Sequence, residues 1–317
     1  MYKPFDILVV GELNVDVILN QLEGFPALGK EIFAQRMDVV LGSSSAIFAS
    51  NAASLNMKVA YAGKVGNDAY GKFILDQLNR RFIDTRGVIV ADNEATGATL
   101  VLNYGNDRAM VTYPGAMSHF GLEDIDSALI GQARHLHVSS VFLQPALRPG
   151  LITLFQKARQ AGLSTSLDPQ WDPAEKWDIP WHELLPLVDY FLPNAAEIQA
   201  ITHTFNVLEA LKKVEWKPCR VIVKDGIRGA WLNVGGEVVH QPAFVNAEVV
   251  DAIGAGDSFD AGFIAGILSG LQVKDSLRLA SLCGAINTTA AGGTAAFASL
   301  DEVRKTALTR FATPFPL

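Results

Sequence analysis

Cysteine is almost missing from this 317-residue chain. There are two, Cys219 and Cys283, too few for a disulfide framework and without metal-ligand spacing. That scarcity suits a reducing compartment, and a cytoplasmic location is the expectation. No apolar run approaches the ~20 residues that a membrane-spanning helix needs, so no membrane partner is expected. The opening Met1-Tyr2-Lys3-Pro4-Phe5-Asp6 leads into a short apolar strand, not a signal-peptide core. Basic residues are outnumbered, 26 Lys and Arg against 33 Asp and Glu, for a formal charge of -7. That balance argues against a nucleic-acid partner. There is no nucleophile elbow and no Gly-x-Gly-x-x-Gly fingerprint. Gly24 to Glu31 almost spells a P-loop, but Glu31 stands where magnesium needs a hydroxyl, so the stretch reads as a turn.

What is present is core-forming material. Hydrophobic residues make up 49% and charged residues 19%, the composition of a folded globular protein. Ile7–Val10 reads as a buried parallel strand, and Asn14 and Asp16 then share one face of an alternating strand. Val39–Leu41 leads to Gly42-Ser43-Ser44-Ser45 and a small-residue helix; those hydroxyls could cap the helix or bind a polyol. Val59–Gly63 is another buried strand, followed by a helix over 70–80. Thr96–Asn103 and Arg108–Tyr113 predict a hairpin turning at Gly105-Asn106-Asp107. From His135 onward strands and helices alternate, with strands at 135–138, 164–167, 188–192 and 219–223. That alternation implies a parallel sheet whose ligands bind beyond the carboxyl ends of its strands. Asp168, Asn194, Glu197, Lys224, Gly226 and Asp257 fall in such positions. His135 and His137 could ligate a metal, but without a third ligand nearby they read as core. The tryptophans 171, 177 and 181 read as packing for a Pro-containing loop.

The chain is organised around Val249–Phe263. Val249 and Val250 suggest the end of a strand, and the stripe Phe259, Phe263, Ile264, Ile267 predicts a helix behind Gly254-Ala255-Gly256-Asp257. A helix start offers unpaired N–H groups to an anion, and glycine lets the anion come close. A carboxylate in that turn fits a phosphoryl group in transfer, with Asp257 deprotonating the attacking hydroxyl. A tight turn with an acidic residue complementing the helix dipole would read the same way in isolation.

Six stretches, in order, resemble the ribokinase-like (PfkB-type) carbohydrate kinases over nearly the whole chain. They are Gly11–Asp16, Gly42–Ala46, Gly63–Gly71, Pro193–Glu197, Lys224–Gly229 and Asp251–Asp257. The resemblance implies a three-layer α/β/α fold with a mostly parallel central sheet and a small β-sheet lid. It implies one domain, 1–317, with a discontinuous lid of roughly 12–40 and 95–114 that often builds a homodimer. The implied activity is ATP- and magnesium-dependent phosphorylation of a hydroxyl on a small, unphosphorylated sugar. Asp257 would be the base, and the N–H groups of Gly254, Ala255, Gly256 and Asp257 the anion hole. Asn14, Asp16, Gly42 and Ser43 would hold the sugar. Asn194, Lys224, Gly226 and Gly229 would line the ATP site, with Glu197 facing magnesium through water. Three departures stand out. Ile47 takes the place of a substrate-binding Asn. Asp168-Pro169-Gln170-Trp171-Asp172 replaces Asp-x-Asn-x-Arg, whose lost Arg leans toward a neutral substrate. Ala252 and Ile253 replace a Thr pair, which leaves potassium activation open. A nucleoside kinase of the same family and a non-catalytic sugar- or nucleotide-binding regulator are the alternatives.

Overall fold

The structure, a computed structural model, describes residues 3–104, 108–214, 217–234 and 236–317; the expected turn at Gly105-Asn106-Asp107 lies outside them. The first half runs β1 (Phe5–Val10), β2 (Asn14–Leu22), β3 (Ala34–Leu41), α1 (Ser44–Ser54), β4 (Val59–Gly66), α2 (Ala69–Arg80), β5 (Asp84–Ala91), β6 (Gly97–Asn103), β7 (Arg108–Tyr113), α3 (Ser127–Ile130) and β8 (Ala133–Ser139). The second continues α4 (Leu151–Gln160), β9 (Ser164–Asp168), α5 (Trp181–Leu184), β10 (Tyr190–Phe191), α6 (Ala195–Thr202), α7 (Val207–Lys213), β11 (Arg220–Lys224), β12 (Ala230–Val234), β13 (Glu237–Gln241), α8 (Ala255–Leu268), α9 (Val273–Asn287) and α10 (Leu300–Phe311).

Ile7, Leu8, Val9 and Val10 are fully buried. Successive strand residues point to opposite faces, so a strand covered on both sides must be apolar throughout. Leu8 and Val10 pack into the core under α4, α6 and α7, while Ile7 and Val9 join the core under α1, α2 and α8. Helices therefore cover both faces of a nine-stranded sheet ordered β13-β12-β11-β10-β9-β8-β1-β4-β5. It is parallel from β11 to β5, and β12 and β13 add an antiparallel edge. The chain winds from β1 outward to β4 and β5, then returns to lay β8 on the other side of β1. A crevice opens at the carboxyl ends of such a reversal.

A separate sheet ordered β3-β2-β6-β7 stands beyond that crevice. Asn14 and Asp16 open β2, and the register sets Asp16 beside Val40 and Thr99. The helices expected at about 46–56 and 70–80 form at 44–54 and 69–80, each with a side-chain cap: Ser43 Oγ accepts from Ala46 N–H, and Asp68 Oδ1 from Gly71 N–H.

Some expectations are corrected. Val249 and Val250 lie in no strand and are each 60% exposed; a β-branched pair without a partner ladder forms no strand. The strands β5, β12 and β13 are additions to the expected set; β5 and β13 are the two edges of the large sheet, and β12 lies between β11 and β13. His135 and His137 are core, as read. Burial lowers the His135 pKa to about 3, both rings bond to Ser166 Oγ, and Phe48 stacks on His137. Trp177 and Trp181 pack inward, while Trp171 is half-exposed. No helix among the described residues is long and apolar enough to cross a membrane.

Candidate active site

The crevice is closed on one side by the start of α8. Gly254 holds φ +73°, and a Cβ there would fall 2.6 Å from Gly293 Cα. Only glycine takes that backbone and that contact cheaply. The turn is braced from three directions. Asp251 accepts from Ile253 N–H and Gly292 N–H, each at 2.9 Å. Asn287 Nδ2 donates to Ile253 O at 2.6 Å, and Asn51 Nδ2 donates to Ser258 Oγ at 2.8 Å and Gly293 O at 2.9 Å. Of the four amides expected to form an anion hole, Ala255 N–H turns to Ala252 O at 3.3 Å. Those of Gly254, Gly256 and Asp257 have no partner among the described residues.

Asp257 sits in this turn, 7% exposed. Burial, and after it the nearby Asp168, raises its carboxyl to about 7, against the pull of Lys224. A carboxyl balanced there can take up a proton near neutrality. Gln170 Nε2 bridges Asp168 Oδ2 at 2.8 Å and Asp257 Oδ1 at 3.1 Å. Lys224, expected to line the ATP site, instead gives its ammonium to Asp168 at 2.7 Å and Asp260 at 2.9 Å. Burial opposes the charge, but Asp168, Asp260 and Glu197 outweigh it and hold the pKa above that of ordinary lysine.

On the β2 side of the crevice, Asn14 is buried and donates to Thr99 Oγ1 at 2.8 Å. Burial raises the Asp16 carboxyl to about 6, against the pull of Arg108. Gly42 makes room for Asp16, since a Cβ would meet Asp16 Oδ1 at 2.4 Å. Ser43 Oγ donates to Glu12 O at 2.6 Å while capping α1, so its proton is engaged by the backbone. Ile47 turns toward Gly254 and Gly293, filling space behind the amides.

Asn194 and Glu197 form a capping box on α6: Glu197 N–H donates to Asn194 Oδ1 at 2.9 Å, and Asn194 N–H to Glu197 Oε2 at 2.8 Å. Burial, then Asp168, raises Glu197 to about 8, against Lys224. Gly226 (φ +56°) and Gly229 (φ +92°) shape the turn after β11, with exposed Ile227 between them. No ready-made cluster of three metal-ligating side chains occurs among the described residues.

The pattern of the pfkB family carbohydrate kinases matches residues 5–299. The chain belongs to that family. An uncharacterised sugar kinase of Archaeoglobus fulgidus is 30% identical over 234 residues, 73% of this chain and 91% of that protein. Lactococcus lactis ribokinase is 27% identical over 94% of this chain and 95% of its own. Arabidopsis thaliana ribokinase, solved with ribose and ATP, superposes with a TM-score of 0.82 at 25% identity, covering 96% and 98% of the two chains. The three-layer fold with a smaller separate sheet and the alcohol-phosphorylating kinase class are therefore as expected.

Within this pfkB chain, two contributors escape sequence reasoning. Gln170 stands out there only as a departure from the family pattern, not as a partner of Asp257, which lies 87 residues away. Glu12 carries no role in the sequence reading, yet it is buried in the short link between β1 and β2. Its carboxylate accepts from Ser45 Oγ and N–H, and burial raises its pKa. Its position directly behind a buried strand is the available signal.

Proposed function

We propose that this chain uses ATP and magnesium to phosphorylate a hydroxyl of a small, unphosphorylated sugar, with Asp257 as general base. The observation that carries this is the buried Asp257 carboxyl, held near 7, in the same helical turn as three unpartnered amides. The sugar hydroxyl gives its proton to Asp257 as its oxygen attacks the γ-phosphorus. The bond to the bridging β,γ-oxygen breaks, and ADP leaves with that electron pair. The amides of Gly254, Gly256 and Asp257 stabilise the equatorial oxygens; each such donor contributes about 3 kcal/mol. Gln170 aims the base, and Lys224 fixes Asp168, which holds Gln170.

Asn14 and Asp16 bind sugar hydroxyls, while Gly42 and Ser43 shape that side through the backbone. Asn194, Gly226 and Gly229 flank the nucleotide. Asp168, Glu197, Asp257 and Asp260 gather around one cation, Lys224, an excess of carboxyl groups whose potential suits a divalent cation. Magnesium, with Glu197 behind its water shell, would supply charge neutralisation on the phosphates. The same potential, with Asp16 and Asp251, disfavours an anionic acceptor. The ribose and ATP bound by the plant relative support this class of ligands.

The four-stranded sheet acts as a lid on one catalytic unit. Its outer face exposes Met37, Leu100, Val111 and Tyr113, and a second copy covers it in a homodimer. Steady ATP turnover with a panel of sugars and nucleosides tests the reading. Turnover with sugars supports it; turnover with nucleosides alone makes the chain a nucleoside kinase. Binding without turnover makes it a regulator. Potassium against lithium in the same assay settles the monovalent cation.

A further inference from the structure

A cleft of about 470 Å³ runs under the small sheet, beside the loops that brace the α8 turn. It spans from β2 and β3 to the loops at Asp251 and Gly292. That is room for about fifteen waters. Asn14, Asp16 and Asn20 lie on the same face of β2, and Asn20 is about 13 Å along the strand from Asp16 at ~3.3 Å per residue. A single pentose held at Asp16 cannot reach it.

The far end is built for hydroxyl groups. Asn103 Nδ2 donates to Asn20 Oδ1 at 2.9 Å, and Asn20 Nδ2 donates to Asp38 Oδ2 at 3.2 Å. Arg36 donates to Asp38 Oδ1 through Nε at 3.1 Å and Nη2 at 2.9 Å. Asp38 thus neutralises Arg36, while Asp251 adds a negative charge on the opposite wall. The hydroxyl of Tyr104, also on the wall, is buried without a hydrogen-bond partner among the described residues. A buried polar group in that state calls for a partner from outside them.

Resting on the proposed sugar kinase activity, we infer that the cleft is a second subsite for a neutral, hydroxylated extension of the acceptor, the size of a second sugar ring. A phosphate or carboxylate is disfavoured by Asp251, with Arg36 already neutralised by Asp38. A wholly apolar arm would leave the Tyr104 hydroxyl unpaired.

The test is kcat/KM with ATP for ribose, fructose, and the disaccharides lactose, melibiose and maltose. The wild-type protein is expected to favour at least one disaccharide over ribose by tenfold or more. Tyr104→Phe, which removes only the hydroxyl, and Asn20→Leu are each expected to lower that ratio about tenfold, the worth of one well-placed hydrogen bond. Should Asn20→Leu fail to fold, Tyr104→Phe carries the test. Preference for ribose over every disaccharide, or a ratio unmoved by Tyr104→Phe, overturns the subsite while leaving the kinase reading intact. Absence of turnover with every acceptor overturns that reading instead, and the subsite with it.

Discussion

Replacing Asp257 by Asn should stabilise the folded protein, and by an amount that depends on pH. A carboxyl with its pKa near 7 in the fold, against an ordinary 3.8, disfavours folding once it must ionise. The sign follows from linkage: the raised pKa favours the native state below about pH 4, and that advantage is lost as pH rises through about 7. The full difference corresponds to about 4 kcal/mol at most, and local relaxation brings it to about 2–4 kcal/mol. The substituted amide keeps an acceptor for Gln170 and never ionises. Thermal unfolding should therefore show the variant equal to wild type near pH 4 and about 3–6 °C higher at pH 8. An equal or lower melting temperature at pH 8 would refute the claim that a buried carboxylate is held here under strain.

Gln170→Leu removes a donor to the ionised Asp257, so the acid limb of kcat/KM moves to higher pH and the rate at pH 7 falls about tenfold; a limb that stays put contradicts this. Lys224→Met leaves Asp168 and Asp260 buried without their cation, costing about 3–5 kcal/mol in urea unfolding; a loss below about 1 kcal/mol rejects the triad as described. Gly254→Ala forces a side chain into φ +73° against Gly293, and displacing the amides lowers kcat about 10²–10³-fold. In Val111→Lys, a charge on the exposed face of β7 shifts sedimentation from dimer toward monomer; an unchanged dimer places the interface elsewhere.

The fold was legible where burial leaves no alternative. Ile7–Val10, Val59–Gly63 and Val221–Val223 are apolar because both faces of the sheet are covered, and the glycines before α8 mark a helix start. The edge was not legible: β12 and β13 carry polar residues at solvent positions, and Val249-Val250 imitated a strand with nothing to pair with. In the candidate site, the place of Asp257 in the first turn of α8 could be read because its glycines adjoin it in sequence. Gln170 could not, because its bond to Asp257 depends on β9 and α8 meeting across the crevice. The same holds for Lys224: a basic residue after a strand suggests a phosphate contact, and only the fold brings Asp168 and Asp260 onto its ammonium. Ser43 offered two readings, and capping is what its geometry shows.

The most direct test of Asp257 as the base is a single-turnover experiment on Asp257→Asn, with ATP saturating and a turned-over acceptor from the panel. Phosphoryl transfer should slow by about 10²–10⁴-fold, with the dissociation constant for ATP unchanged within about threefold. Transfer at the wild-type rate, or loss of ATP binding with transfer per bound complex intact, would contradict that role.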